Sequence, residues 1–391
     1  MIQEGYNKYY GSAFKIPTMS KWLVIVSGRE MVDDVRRASD QYMSLDATLV
    51  EILRTDYTMG PSVFADPYHI GFLRTPLTKH LANHFADAKN EIARTVHELF
   101  QMKNNGRVNL PAHEIAMKVI ARASHRMFVG LPLCRNSEYL QLSEKFTIDV
   151  FVYSQILNMF PEALHPMVGW AITSRVSKTV KRAKDRIHPL VEACIEQKKD
   201  YDSGKAESTN NSSNLISWLV NEAQESGRSF DITDLTRRIL VINFVSIGST
   251  AAVLSDALFN LAAHPQYAAP IREEVEAIVE AEGWTRASIA KMRKLDSFVR
   301  ETQRTGTGGA TGNRKIMKDF TFSNGISLPS GTCISFATRP IHHDANHYDS
   351  PTEFQGFRFF DTVTEEGDDP KNQVVSLGPD YLTFGTGRHA W

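Results

Sequence analysis

The sequence predicts a mainly α-helical domain with small β-sheets, and three observations predict it. Apolar residues recur at three- and four-residue spacing through the middle of the chain, one later stretch is apolar almost all round, and the composition then switches to Gly, Thr, Phe and Pro in period-two alternation. The 391 residues are enough for a large buried core, and for one large domain or two to three average ones, between which length alone does not choose.

In chain order, a short β-like piece from Trp22 to Ser27 precedes a helix near Glu30 to Ser39. Amphipathic spacing then predicts helices over Thr75 to Lys103, Ala112 to Val129, Ser137 to Phe160 and Val176 to Lys199. Asp200 to Asn214, rich in Ser and Asn, reads as a surface loop. After Arg238, the stretch Asp231 to Ala263 has no polar face, which predicts a central helix buried on every side. His264-Pro265 ends it, because the residue before a proline is pushed out of the helical region. Helices over Pro270 to Glu282 and Lys291 to Arg304 follow. Asp319 to Thr338, with turns at Asn324-Gly325 and Pro329-Ser330-Gly331, predicts a small β region.

Charge excludes some partners. A formal net charge of -1, with 23% charged residues, makes no field strong enough to attract nucleic acid or acidic lipid. The three cysteines, Cys134, Cys194 and Cys333, have no C-x-x-C spacing and read as small buried apolar residues in a reducing compartment. No signal peptide or membrane-spanning segment is found, so this chain by itself is expected in the cytoplasm.

Three short motifs stand in fixed order. Glu301-Thr302-Gln303-Arg304 places a carboxylate and a guanidinium one helical turn apart, as a buried pair or as a solvated surface bridge. Pro351 to Phe359 (PTEFQGFRF) is an aromatic-rich turn presenting Arg358, a planar donor able to join that pair. Phe384 to Ala390 (FGTGRHA) combines two glycines, which let backbone pass close to a flat group, with Arg388, which can meet an anion.

In these motifs the sequence resembles the cytochrome P-450 superfamily of haem-thiolate monooxygenases, whose signatures are E-x-x-R, an aromatic-P/G-x-R-F segment and F-x-x-G-x-R-x-C-x-G. Gly130 to Leu140, the central helix and Lys318 to Phe359 look like the fungal microsomal branch, so the resemblance covers essentially the whole chain. It implies the cytochrome P-450 fold as a single domain over 1–391, incomplete at the C-terminus. The implied activity is hydroxylation of a hydrophobic terpenoid, steroid or aromatic molecule, in fungal secondary metabolism, with dioxygen and electrons from an NADPH-dependent reductase. The implied cofactor is haem b, and the family's setting is the endoplasmic reticulum membrane.

Residue by residue, the resemblance implies a structural triad of Glu301, Arg304 and Arg358. Haem contacts are implied for Arg314, Arg388 and Phe384, the two arginines toward the propionates. The family's A-G-x-D/E/H-T-T patch falls on Val245 to Thr250. It keeps hydroxyls at Ser249 and Thr250 as the implied catalytic residues but has Gly248 where the acid or imidazole should stand. A packing patch of small residues is the other reading of this stretch. The axial cysteine is implied at position 391, where the sequence has Trp391. Indole cannot supply a thiolate. The resemblance therefore implies a chain cut at both ends, and its alternative is an inactive family member without haem-thiolate ligation.

Other signals are set aside. Gly306 to Gly312 lacks the G-K-[ST] ending of a phosphate loop. His342-His343-Asp344, read as strand residues facing opposite ways, has no third metal ligand. No G-x-S-x-G or H-E-x-x-H motif supports a hydrolase.

Overall fold

The computed structural model describes residues 1–18, 21–74, 76–100, 111–203, 214–227, 231–306, 308–360 and 374–390, with backbone alone at 76–83, 202 and 389. The chain forms two compact units, one of residues 1–52 and 256–391 and one of residues 53–255.

The first unit is built on a five-stranded sheet. Its strands are β1 (Ala13–Pro17), β2 (Trp22–Val26), β3 (Met43–Ser44), β4 (Thr311–Ile316) and β7 (Cys333–Phe336), while β5 (Phe320–Thr321) and β6 (Ser327–Leu328) form a separate hairpin. The sheet order is β1-β2-β7-β4-β3, with β2 and β7 parallel and the other pairs antiparallel. Two distant parts of the sequence are therefore zipped into one sheet. Ile25, Val26, Met31, Ile316, Ile334 and Phe336 fill its core. The pairing of β4 with β7 slips between Thr311 and Arg314. Gly312 sits in that bulge at φ +69°, and a Cβ there would lie 2.2 Å from the Phe336 ring, so only glycine fits. The helices Ala268–Glu282, Arg286–Ala290 and Arg293–Gly306 also belong to this unit. Thr285 and Ser288 close the start of the second in a reciprocal capping box.

The second unit is helical. Its long elements are Pro76–Phe100, Ala112–Phe128, Ser137–Asn158, His165–Asp202 and Leu215–Glu225. Asn136 and Asn214 cap two of them by accepting from the backbone N–H groups of Tyr139 and Ser217. The helix expected from Val176 begins earlier, at His165, because Pro166 stands in its first turn where a missing N–H is harmless. The surface loop expected over Asp200 to Asn214 lies mostly outside the described residues. Phe72, Phe128, Tyr139, Ile187, Leu219 and Ile239 pack the core.

The central helix runs unbroken over Ile232–Ala263. Arg238 to Asn243 are six consecutive buried residues, so every side of the helix is covered there. Burial on every side does not continue: Ser249 and Thr250 are exposed, and Phe259 is 59% exposed. Apolar composition sets the penalty for exposing a face but does not supply neighbours for it. By length and composition the helix could also cross a membrane, yet half of its most apolar window is buried in the protein.

Arg238, 2% exposed, shows how a cation enters this core. It donates to Asp234 Oδ2 (2.7 Å), to the carbonyls of Asp66 (2.6 Å) and Ser62 (3.2 Å), and lies 4.1 Å above the Tyr68 ring. These contacts draw the loop before residue 70 onto the helix. Arg238→Ala leaves three acceptors without their donor, and the expected loss is roughly 3–5 kcal/mol, read as a lower midpoint in urea unfolding.

Candidate functional site

Glu301 and Arg304 stand one turn apart on Arg293–Gly306, and both are fully buried. Arg304 grips the carboxylate with two bonds of 2.7 Å, Nε to Oε2 and Nη2 to Oε1. Arg358 Nε donates to both oxygens at 3.1 Å, and the backbone N–H of Gln355 donates to Oε1 at 3.0 Å. The solvated-bridge reading of this pair is thus excluded. The remaining guanidinium donors tie down backbone: Arg304 reaches the carbonyls of His342 (2.5 Å) and Pro351 (2.8 Å), and Arg358 reaches those of Asp349 (2.5 Å) and Glu353 (3.1 Å). One carboxylate and two arginines fix residues 342–358 against the helix.

His342 extends the network in a way its sequence does not signal. It ends a short helix, Thr338–His342, so the strand reading of His342-His343 is corrected. A carbonyl can only accept, so the 3.1 Å contact from Nδ1 to Arg304 O places the ring proton on Nδ1. Nε2 then accepts from the Leu382 N–H at 2.9 Å. His342 stacks on Tyr381, whose hydroxyl donates to Gln303 (2.8 Å), while Arg300 lies over the Tyr381 ring at 4.4 Å. Through these contacts the segment leading to Phe384 is attached to the same helix.

Phe384 is half-buried, and the chain then turns through Gly387–His389. Gly387, at φ +68°, passes so close to the Arg36 carbonyl that a Cβ would lie 2.7 Å from it. Arg388 is exposed, donating to Ala38 O (3.0 Å) with Asp40 at 3.8 Å. Counted from Phe384, the arginine position of the F-x-x-G-x-R signature is 389, occupied by His389, with Arg388 one residue before it.

Arg314 differs. It is 4% exposed, donates to Asn313 O (2.8 Å) and Thr386 O (3.5 Å), and pairs with no carboxylate among the described residues. Burial lowers its pKa, against the attraction of Asp40 and Asp46. A guanidinium with five donors and two carbonyl partners fits a carboxylate such as a haem propionate. Trp391, where the axial cysteine is expected, lies outside the described residues. Cys134 and Cys194 belong to the helical unit's core, and Cys333 is on β7.

In the other unit, Ser249 and Thr250 donate to the carbonyls one turn back, Val245 O (3.3 Å) and Ser246 O (2.8 Å). The helix does not open at this point, because its hydroxyls bond along it and its backbone ladder is unbroken. Around Gly248 nothing lies within 4 Å of where a Cβ would be.

The family model for cytochrome P-450 matches residues 2–390. The chain belongs to the cytochrome P-450 family. It is 35% identical over 395 residues to cytochrome P-450 monooxygenase 103 of Postia placenta, covering all of this chain and 77% of that one. Cytochrome P-450 monooxygenase 110 of the same fungus is 36% identical with the same coverage. Cytochrome P-450 monooxygenase paxQ of Penicillium paxilli is 31% identical over 402 residues, covering all of this chain and 76% of its own. The fold is accordingly that of a cytochrome P-450, mostly helical with small sheets.

Removing the shared carboxylate of this cytochrome P-450 leaves two guanidiniums facing each other in the interior. Glu301→Ala is expected to destabilise by roughly 3–5 kcal/mol, whereas Arg388→Ala at its exposed pair should stay within about 0.5 kcal/mol; thermal unfolding of both variants checks the contrast.

Burial holds His342 neutral, with its pKa pushed from 6.5 down to about 3, and His125, fully enclosed in the helical unit, to about 4. Below the unfolded value the unfolded chain takes up protons that the folded chain refuses. Stability is therefore complete above about pH 6.5 and falls as pH drops toward 4, by up to ~1.4 kcal/mol per pH unit for each histidine. Urea midpoints at pH 7.5 and pH 5 should show the decline.

Proposed function

We propose that this cytochrome P-450 is a haem-dependent monooxygenase hydroxylating a hydrophobic small molecule, with dioxygen and electrons passed from NADPH by a reductase. The observation that carries the reading is the family match across residues 2–390, together with a buried cation, Arg314, that has no carboxylate partner among the described residues. A terpenoid, steroid or aromatic substrate, the single-domain reading of 1–391 and a setting at the endoplasmic reticulum membrane rest on the resemblance to fungal members.

A bound haem would supply the oxygen activation. Arg314 would hold one of its propionates, and Phe384 would offer an apolar surface to it. Ser249 and Thr250 would pass protons. Each hydroxyl must first turn away from its carbonyl, at Val245 or Ser246, so their rest state is a bonded one. The open space at Gly248 leaves room for water to do what a side-chain acid does in other members.

Two variants test the proposal. Arg314→Leu removes a charge-assisted contact worth about 1.5–3 kcal/mol, so haem should be retained roughly ten- to a hundredfold less tightly, measured by the haem absorbance of the purified protein. Trp391→Cys should give the thiolate-type Soret shift when the reduced protein binds carbon monoxide. Unchanged haem retention in the first would remove Arg314 from the site. No shift in the second would favour the inactive reading.

A further inference from the structure

Cys333 does not lie among apolar side chains alone, as a small buried cysteine would. Lys21 Nζ stands 2.9 Å from its Sγ, and Lys21 also pairs with Glu51 Oε1. Lys315 Nζ binds the other oxygen of Glu51 at 2.7 Å, and Glu51 Oε2 is 3.9 Å from Cys333 Sγ. The arrangement follows from the sheet: Leu23 is the register partner of Cys333 across β2 and β7, and Lys21 stands immediately before β2, two residues from Leu23. Cys333 is 3% exposed, whereas the Lys21 side chain is 31% exposed, so the pair is held in place yet open to a small oxidant.

We propose that Lys21 and Cys333 are a redox-sensitive modification site, joined by dioxygen into a nitrogen–oxygen–sulfur cross-link between β7 and the start of β2. Lys21 first gives up one proton to solvent; one thiol, one amine and one dioxygen then give the S–O–N bridge and one water. The sulfur–hydrogen bond and one nitrogen–hydrogen bond break, sulfur and nitrogen together lose four electrons, and dioxygen gains them, one oxygen entering the bridge and the other leaving as water. Glu51 makes this tolerable. When Lys21 loses its charge on bridging, the carboxylate keeps Lys315 as its counter-ion and is not stranded half-buried. The bridge would tie positions 312 residues apart, closing a long loop in the unfolded chain.

Peptide mass mapping of the air-equilibrated protein, digested without reductant, tests the site. The expected result is a joined pair of peptides containing Lys21 and Cys333, heavier than their sum by one oxygen less two hydrogens. Dithiothreitol should release it, and it should be absent from Lys21→Arg, which keeps the charge pair with Glu51 but not the primary amine. Thermal unfolding should fall by several degrees on reduction in the parent chain and not in Lys21→Arg. Complete alkylation of Cys333 in the denatured, unreduced protein, or an added oxygen on the Cys333 peptide alone, would overturn the proposal.

Discussion

The Glu301 carboxylate is the point on which the C-terminal part of this cytochrome P-450 depends. A buried charge is tolerated only when its lone pairs are met, and Glu301 is met by two guanidiniums and one backbone N–H. Those guanidiniums then spend their other donors on carbonyls from His342 to Glu353, which otherwise would be unpaired loop backbone. Residues 342–358 contain little regular structure after the short helix, so their conformation is imposed by side chains. An aromatic cluster packs beside them: His264 stacks on Phe354 at 4.9 Å, and Gly356 leaves room for the rings of Phe298 and Tyr267.

The central helix meets a different constraint. Its first half is held by burial and by Arg238, and its hydroxyl-bearing stretch is satisfied internally, each oxygen bonding one turn back. Such hydroxyls need no neighbour to keep them in place. They therefore remain available for another partner, at the expense of one weak bond each, and Gly248 leaves the space beside them clear.

Much of this was legible in the sequence where local periodicity decides structure. The helices Ala112–Phe128 and Arg293–Gly306 lie within two residues of their expected limits, and Trp22–Val26 within one. Motif order disclosed Glu301, Arg304 and Arg358 as partners, though not that Glu301 and Arg304 are fully buried, since an i,i+3 pair looks the same on a surface. What periodicity could not show depends on pairing between distant segments: the β2–β7 junction, the Gly312 bulge, and the roles of His342, Arg300 and Tyr381. Arg300 and Tyr381 are 81 residues apart, and nothing in either neighbourhood names the other. From the sequence Cys333 reads as a small apolar residue, because a residue 312 positions away supplies its amine neighbour.

The most direct test of Glu301 as organiser is residue-resolved amide hydrogen exchange of the Arg304→Lys variant against the parent chain. Lysine keeps a positive charge but loses the fork that joins carboxylate and carbonyls. The account predicts that protection collapses at the Gln355 and Leu382 amides while β2 and β7 keep theirs. Equal protection at Gln355 and Leu382 in both proteins would contradict it.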